Sequence, residues 1–265
     1  MPESTAARFL AAFALGCSLA TAGIIAADAN VALFLRLNGA ADRAIPDAAL
    51  SGATILGNGL CALMLLAPAI ARAPRVVAAG VLASPLAAVL SYVPKHLVAE
   101  ARPAAVLDPG SIHVHGIRLA GTTSFPSGHA ITAFTLVAAV LCASPTLRRR
   151  PASCAALLAA AILVAASRIG VGAHWPIDAL AGAGLGTLAG LGGAWWSARW
   201  PFWRERTGAL VLTTIVAAAA IALTRIDTGY PAAQPLQYAL AALGLVSALF
   251  GYAVHLRRSP GASAA

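Results

Sequence analysis

Eight apolar segments divide this chain, each close to the roughly 20 residues that a helix needs to cross the hydrocarbon core of a bilayer. They lie near residues 8–27, 51–71, 75–94, 128–144, 151–168, 176–196, 208–224 and 236–256. An unpaired backbone amide in lipid costs several kcal/mol, so each segment is expected to be a helix. The expected fold is therefore all-α, a polytopic membrane helix bundle forming a single integral membrane domain over residues 1–265. Composition agrees: only 10% of the residues are charged and 60% are hydrophobic, against about a quarter charged in a soluble domain. The first run, Phe9 to Ala27, has the look of a secretory signal. Its length fits a spanning helix better than a short signal core.

The net charge of +9 does not point to nucleic acid, because the basic residues gather in no basic helix or tail. They sit in the gaps between apolar runs, where membrane topology is set. With the N-terminus inside, the cytoplasmic gaps hold Arg8, Arg72, Arg75, Arg148, Arg149, Arg150, Arg199, Arg204, Arg206, Arg257 and Arg258. The opposite face holds Arg36, Arg43, Lys95, Arg102, Arg118, Arg168 and Arg225. Eleven against seven is a bias of the sign expected for the inner side. The four cysteines, Cys17, Cys61, Cys142 and Cys154, lie in or at the ends of apolar runs without C-x-x-C spacing, so neither a disulfide framework nor a zinc site is expected.

Polar side chains at membrane depth are expensive and need a reason. Three clusters fall on one expected face, around the long loop 95–127. The first is Lys95, the only lysine in the chain, followed by Arg102-Pro103. If that segment stays helical, seven residues are about two turns and the two cations share a face. The second is Pro126-Ser127-Gly128-His129. Ser127 is a plausible N-cap, Gly128 leaves the backbone open to a ligand, and the helix start is an anion site. The third is Ser167-Arg168 and then His174-Trp-Pro-Ile-Asp178, with Gly170 and Gly172 permitting a turn between them. Pro176 suits the first helical position, so Asp178 falls in the first turn and reaches back to His174. Each cluster alone has an ordinary explanation: snorkelling cations, a helix cap, a capping carboxylate. Their agreement in residue type, spacing and membrane side does not.

The patterns K-x6-R-P, P-S-G-H and S-R-x5-H-x3-D resemble the type 2 phosphatidic acid phosphatase (PAP2) superfamily, over roughly residues 51–196. The resemblance implies a metal-independent phosphatase without a cofactor. His174 would attack phosphorus and form a phosphohistidine, oriented by Asp178, and His129 would protonate the departing oxygen. Lys95, Arg102 and Arg168, with Ser127 and the Gly128 amide, would hold the phosphate. Members commonly have six spans, so the segments at 208–224 and 236–256 stand as two extra C-terminal spans without an assigned role.

The implied partner is a lipid phosphate in the bilayer, at a site on the periplasmic or exterior face of the inner membrane. Undecaprenyl diphosphate comes first, with phosphatidylglycerophosphate, phosphatidic acid and lipid A phosphates as the other candidates. One alternative, a lipid phosphotransferase, uses the same residues; the other is a non-catalytic lipid transporter or packing subunit with a relic anion site, against which the intact His174, Asp178 and His129 set argues. Oligomeric state is left open. His113-Val-His115 in the loop is a weak metal signal without a third ligand. Gly182, Gly186 and Gly190 at four-residue spacing read as close helix packing in lipid.

Overall fold

The computed structural model describes residues 3–257, and every regular element among them is helical. The helices are α1 (Glu3–Ala26), α2 (Asn30–Ala44), α3 (Asp47–Ile55), α4 (Gly59–Leu66), α5 (Pro74–Val98) and α6 (Pro103–Val106), then α7 (Gly128–Ala143), α8 (Pro145–Arg148), α9 (Pro151–Gly170), α10 (Pro176–Arg199), α11 (Arg206–Leu223) and α12 (Gln234–Leu256). Arg258, counted above on the cytoplasmic side, lies outside the described residues.

Six stretches are long and apolar enough to cross a membrane: Ser4–Ala26, Pro74–Val106, Pro151–Gly170, Pro176–Arg199, Arg206–Leu223 and Pro231–Leu256. The other two expected spans differ in form. Segment 51–71 is not one straight helix but α3 followed by α4, bent by 76°. The break falls at Gly57-Asn58, where the Asn58 side chain accepts the Leu60 amide at 2.9 Å and starts a new helix. Segment 128–144 is the 16-residue α7, about 24 Å long at 1.5 Å per residue. It is shorter than the hydrocarbon core, and most of it is buried by protein. The gap 28–50, read as a linker, instead holds α2, with Phe34 and Asn38 turned inward.

At the centre, α7 packs against α10, with α5 and α9 alongside. The small-residue stripe makes this possible. A Cβ on Gly182 would stand 2.7 Å from the Ser127 carbonyl oxygen, and one on Gly186 or Gly190 would strike the carbonyl of Ile131 or Thr135. The Thr135 hydroxyl donates to the Gly186 carbonyl at 3.0 Å across the seam. Both helices start at the same end, as the Ser127 amide donating to the Asp178 carbonyl at 3.0 Å shows. Their positive dipole ends therefore point to one place.

Candidate active site

The chain turns at that place between α9 and α10. Gly172 has φ +76, and a Cβ there would lie 2.6 Å from the His113 carbonyl oxygen, so glycine is required. The amides of Ala173 and His174 both donate to the Arg168 carbonyl, at 3.0 and 3.2 Å. Buried Asn38, from α2, locks the turn: its amide donates to the carbonyls of His113, Ile169 and Gly170 at 2.9, 3.1 and 3.0 Å, and its oxygen accepts the His113 amide at 2.8 Å. Pro176 then opens α10 without needing an acceptor.

Asp178, fully buried, sits in the first turn. Its Oδ2 accepts from the Ser124 hydroxyl at 2.6 Å, the Trp175 amide at 2.9 Å and His174 Nδ1 at 3.1 Å. The carboxylate thus assigns the proton to Nδ1 and leaves the lone pair on Nε2. Arg102 Nη1 donates to that Nε2 at 3.3 Å. Burial, followed by the charges of Arg168, Arg102 and Lys95, holds the His174 imidazole well below its ordinary pKa. The neutral, nucleophilic form is the one the site favours.

Three cations surround this imidazole. The Lys95 ammonium donates to the carbonyls of Thr123 at 3.1 Å, Ser124 at 3.4 Å and Pro126 at 2.6 Å. Arg102 donates to the carbonyls of Ala173 at 2.8 Å and Thr123 at 3.1 Å. Arg168 is 2% exposed and donates to the Tyr230 hydroxyl at 2.7 Å. All three are held by neutral acceptors, and among the described residues none of them is ion-paired to a carboxylate. Their convergence does not come from one helix face. Helix α5 ends at Val98, Ala99 adopts the left-handed conformation and Arg102 is extended before Pro103. The residue before a proline is biased out of the helical region, so Lys95 and Arg102 meet through the shared Thr123 carbonyl instead.

Ser127 caps α7, its hydroxyl accepting the Ala130 amide at 3.4 Å. The amides of Gly128 and His129 open the helix, where no intrahelical acceptor exists. His129 lies within electrostatic reach of His174, Arg168, Arg102 and Lys95. It also lines a cavity of about 460 Å³ that runs beside α4, α5 and α7 past Ala62, Leu66, Val81 and Leu136 to Ile215 of α11.

All eight residues singled out in the sequence thus gather at one end of the bundle. Asn38, Ser124, Trp175 and Tyr230 join them unannounced. Trp175 Nε1 donates to the Ala101 carbonyl at 2.8 Å, and the ring packs edge-on against Phe34. The loop pair His113 and His115 lies elsewhere, engaged by Asp42 at 3.1 and 3.2 Å and, for His115, by Asp47 at 3.0 Å.

A helical bundle that points two helix starts and three cations at one imidazole defines the class. Residues 75–204 match the PAP2 superfamily, the family that the three sequence motifs resemble. Two solved structures share the fold. LpxE of Aquifex aeolicus is 29% identical, with a TM-score of 0.53, and aligns over 62% of this chain and 93% of its own. The first transmembrane PAP2-type phosphatidylglycerolphosphate phosphatase from Bacillus subtilis is 20% identical, with a TM-score of 0.54 over 72% of this chain and 96% of its own. No curated protein matches the sequence.

Proposed function

We propose that this protein is a membrane lipid phosphatase that moves a terminal phosphoryl group from a lipid phosphate or diphosphate onto His174 and then to water. The observation that carries the reading is the Asp178–His174–Arg102 line: Nδ1 bonded to a buried carboxylate, and Nε2 turned to a guanidinium among cations that, in the described residues, form no ion pair. A site for binding alone needs cations but no oriented imidazole.

Arg102, Arg168 and Lys95, with the start of α7, take the phosphate oxygens and neutralise the charge that otherwise repels a nucleophile. Arg102 turns its fork from Nε2 to the phosphate, which frees the lone pair. Nε2 bonds to phosphorus as the phosphorus–oxygen bond to the lipid breaks, and His129 gives its proton to the leaving oxygen. His129, now neutral, accepts a proton from the water that attacks the phosphohistidine, and inorganic phosphate departs with both imidazoles restored. The cations supply the charge stabilisation for which other phosphatases use metal ions, so no cofactor enters the scheme.

The cavity at His129 supports a lipid leaving group. The departing oxygen is attached to whatever chain lies next to the acid, and there the walls are apolar. The likeness to a phosphatase of lipid headgroups and to LpxE agrees with this class. The working core in this reading is about 51–196, and the arginine bias supports a site on the periplasmic face of the inner membrane.

The test is a phosphate-release panel on detergent-solubilised protein, using phosphatidic acid, phosphatidylglycerophosphate, undecaprenyl diphosphate and lipid A. Release of inorganic phosphate from at least one, undiminished by chelator and absent in His174→Ala, is expected. Phosphate found on an acceptor lipid instead of in water, or release that chelator abolishes, contradicts the proposal.

A further inference from the structure

The hairpin α11–α12 lies beyond residues 75–204, the part of the chain that matches the family, and beyond the last motif in the sequence. Its connector nevertheless reaches one of the three cations, Arg168. Tyr230 is 3% exposed; its hydroxyl accepts from Arg168 Nη1 at 2.7 Å, and the guanidinium carbon stands 5.6 Å from the ring centroid. Among the described residues it is the only side chain bonded to the Arg168 guanidinium, whose buried Nε has no partner.

We propose that Tyr230 is a positioning residue of the phosphate site, which makes the C-terminal hairpin a working part of that site. The inference rests on the reading of Arg168 as a phosphate ligand. The chemistry of a phenol suits the task. A carboxylate would hold the guanidinium too, but it would cancel the charge that the phosphate needs. A neutral hydroxyl and an aromatic face fix its direction and leave the charge intact. One Nη is thereby occupied, and Nε and the other Nη remain as donors for a planar, two-point contact with phosphate oxygens.

The connector is built to hold Tyr230 still. Buried Gln237 donates to the carbonyls of Leu223 and Ile226 at 2.7 and 2.9 Å and accepts from the Thr228 hydroxyl at 3.3 Å. The Ile117 amide donates to the Gly229 carbonyl at 2.9 Å. Gly116, at φ +72, leaves room for the phenol, since a Cβ there would stand 2.5 Å from the ring. The loop that presents Thr123 and Ser124 to Lys95, Arg102 and Asp178 is therefore tied to the same connector as Tyr230.

Tyr230→Phe keeps the ring and removes the acceptor. In the full-length, detergent-solubilised protein, the Kd of inorganic phosphate, read from its stabilisation of the fold, should rise about five- to tenfold, the worth of one ordinary hydrogen bond. The KM for dioctanoyl phosphatidic acid should rise alongside it, with a smaller change in kcat. In an Arg168→Ala background the same substitution should add nothing. A residue that merely filled space would change the melting temperature and leave the phosphate Kd alone. An unchanged Kd, or an equal rise in both backgrounds, overturns the role of Tyr230. If Tyr230→Phe does not fold, Gln237→Met, which loosens the connector and spares the phenol, should still weaken phosphate binding. Unaltered affinity there overturns the role equally. Wild-type protein that neither binds phosphate nor releases it from lipid overturns the active-site reading itself, a result distinct from a Tyr230→Phe protein that matches an active wild type.

Discussion

The α7–α10 pair and the α11–α12 hairpin are both apolar helix pairs, yet they use their surroundings in opposite ways. Helices α7 and α10 run in parallel, meet backbone to backbone through glycines, and are largely enclosed; 67% of the α10 span is buried. Helices α11 and α12 are antiparallel, and only 39% of each is buried. Val246 and Leu249 on α12 stand 65% and 70% exposed, where lipid would cover them. Charge and hydrogen-bonding groups concentrate where close backbone approach excludes lipid and where two helix starts coincide. The hairpin contributes a single phenol, at its polar turn. Parallel entry is thus what makes the first pair a candidate catalytic unit, and the second a support for it.

The sharpest way to break this contrast is Asp178→Asn. It preserves shape but offers an amide where Nδ1 needs an acceptor, so kcat/KM should fall by about 10³- to 10⁴-fold, with helical content unchanged by circular dichroism. A loss under tenfold would mean that the carboxylate only caps α10.

Next in size is the packing seam. Gly186→Val drives a branched side chain into the Ile131 carbonyl and should cost on the order of 3 kcal/mol, read as a fall in denaturation midpoint. Gly23→Ala on α1, where a Cβ meets nothing within 4 Å, should be neutral or stabilise by up to about 1 kcal/mol. Equal effects at the two sites would deny the seam its special status.

The smallest expected effect is electrostatic. Folded His174 has a lowered pKa, so as pH falls through about 6.5 the unfolded chain takes up a proton that the native imidazole refuses. Stability should drop across that window by at most about 1.4 kcal/mol per pH unit. His174→Gln, which cannot titrate, should lose less between pH 7 and pH 5 in thermal melts. Identical slopes would place the native pKa near its ordinary value.

Most of the site was legible because spacing carried it. Asp178 four residues after His174, behind a proline, fixes both on one helix start whatever else the fold does. Ser127 and Gly128 belong to a local cap in the same way. Residues whose part depends on tertiary approach left no such mark. Asn38 lies in a stretch read as a linker, Ser124 reaches Asp178 across 54 positions, and Tyr230 reaches Arg168 across 62. The Lys95–Arg102 pairing was legible as an outcome, although the helix assumed to produce it ends at Val98. Among the spans, composition marked where chain enters lipid but not the Gly57-Asn58 bend, because a cap can restart a helix inside an apolar run.

The account comes down to a bond between phosphorus and His174 Nε2. Rapid quenching of wild-type protein during turnover of a lipid phosphate radiolabelled at its terminal phosphorus should trap an acid-labile, base-stable label on the peptide that contains His174. The label should be missing in His174→Gln. Steady turnover with no such label, or a label carried by another residue, would contradict it.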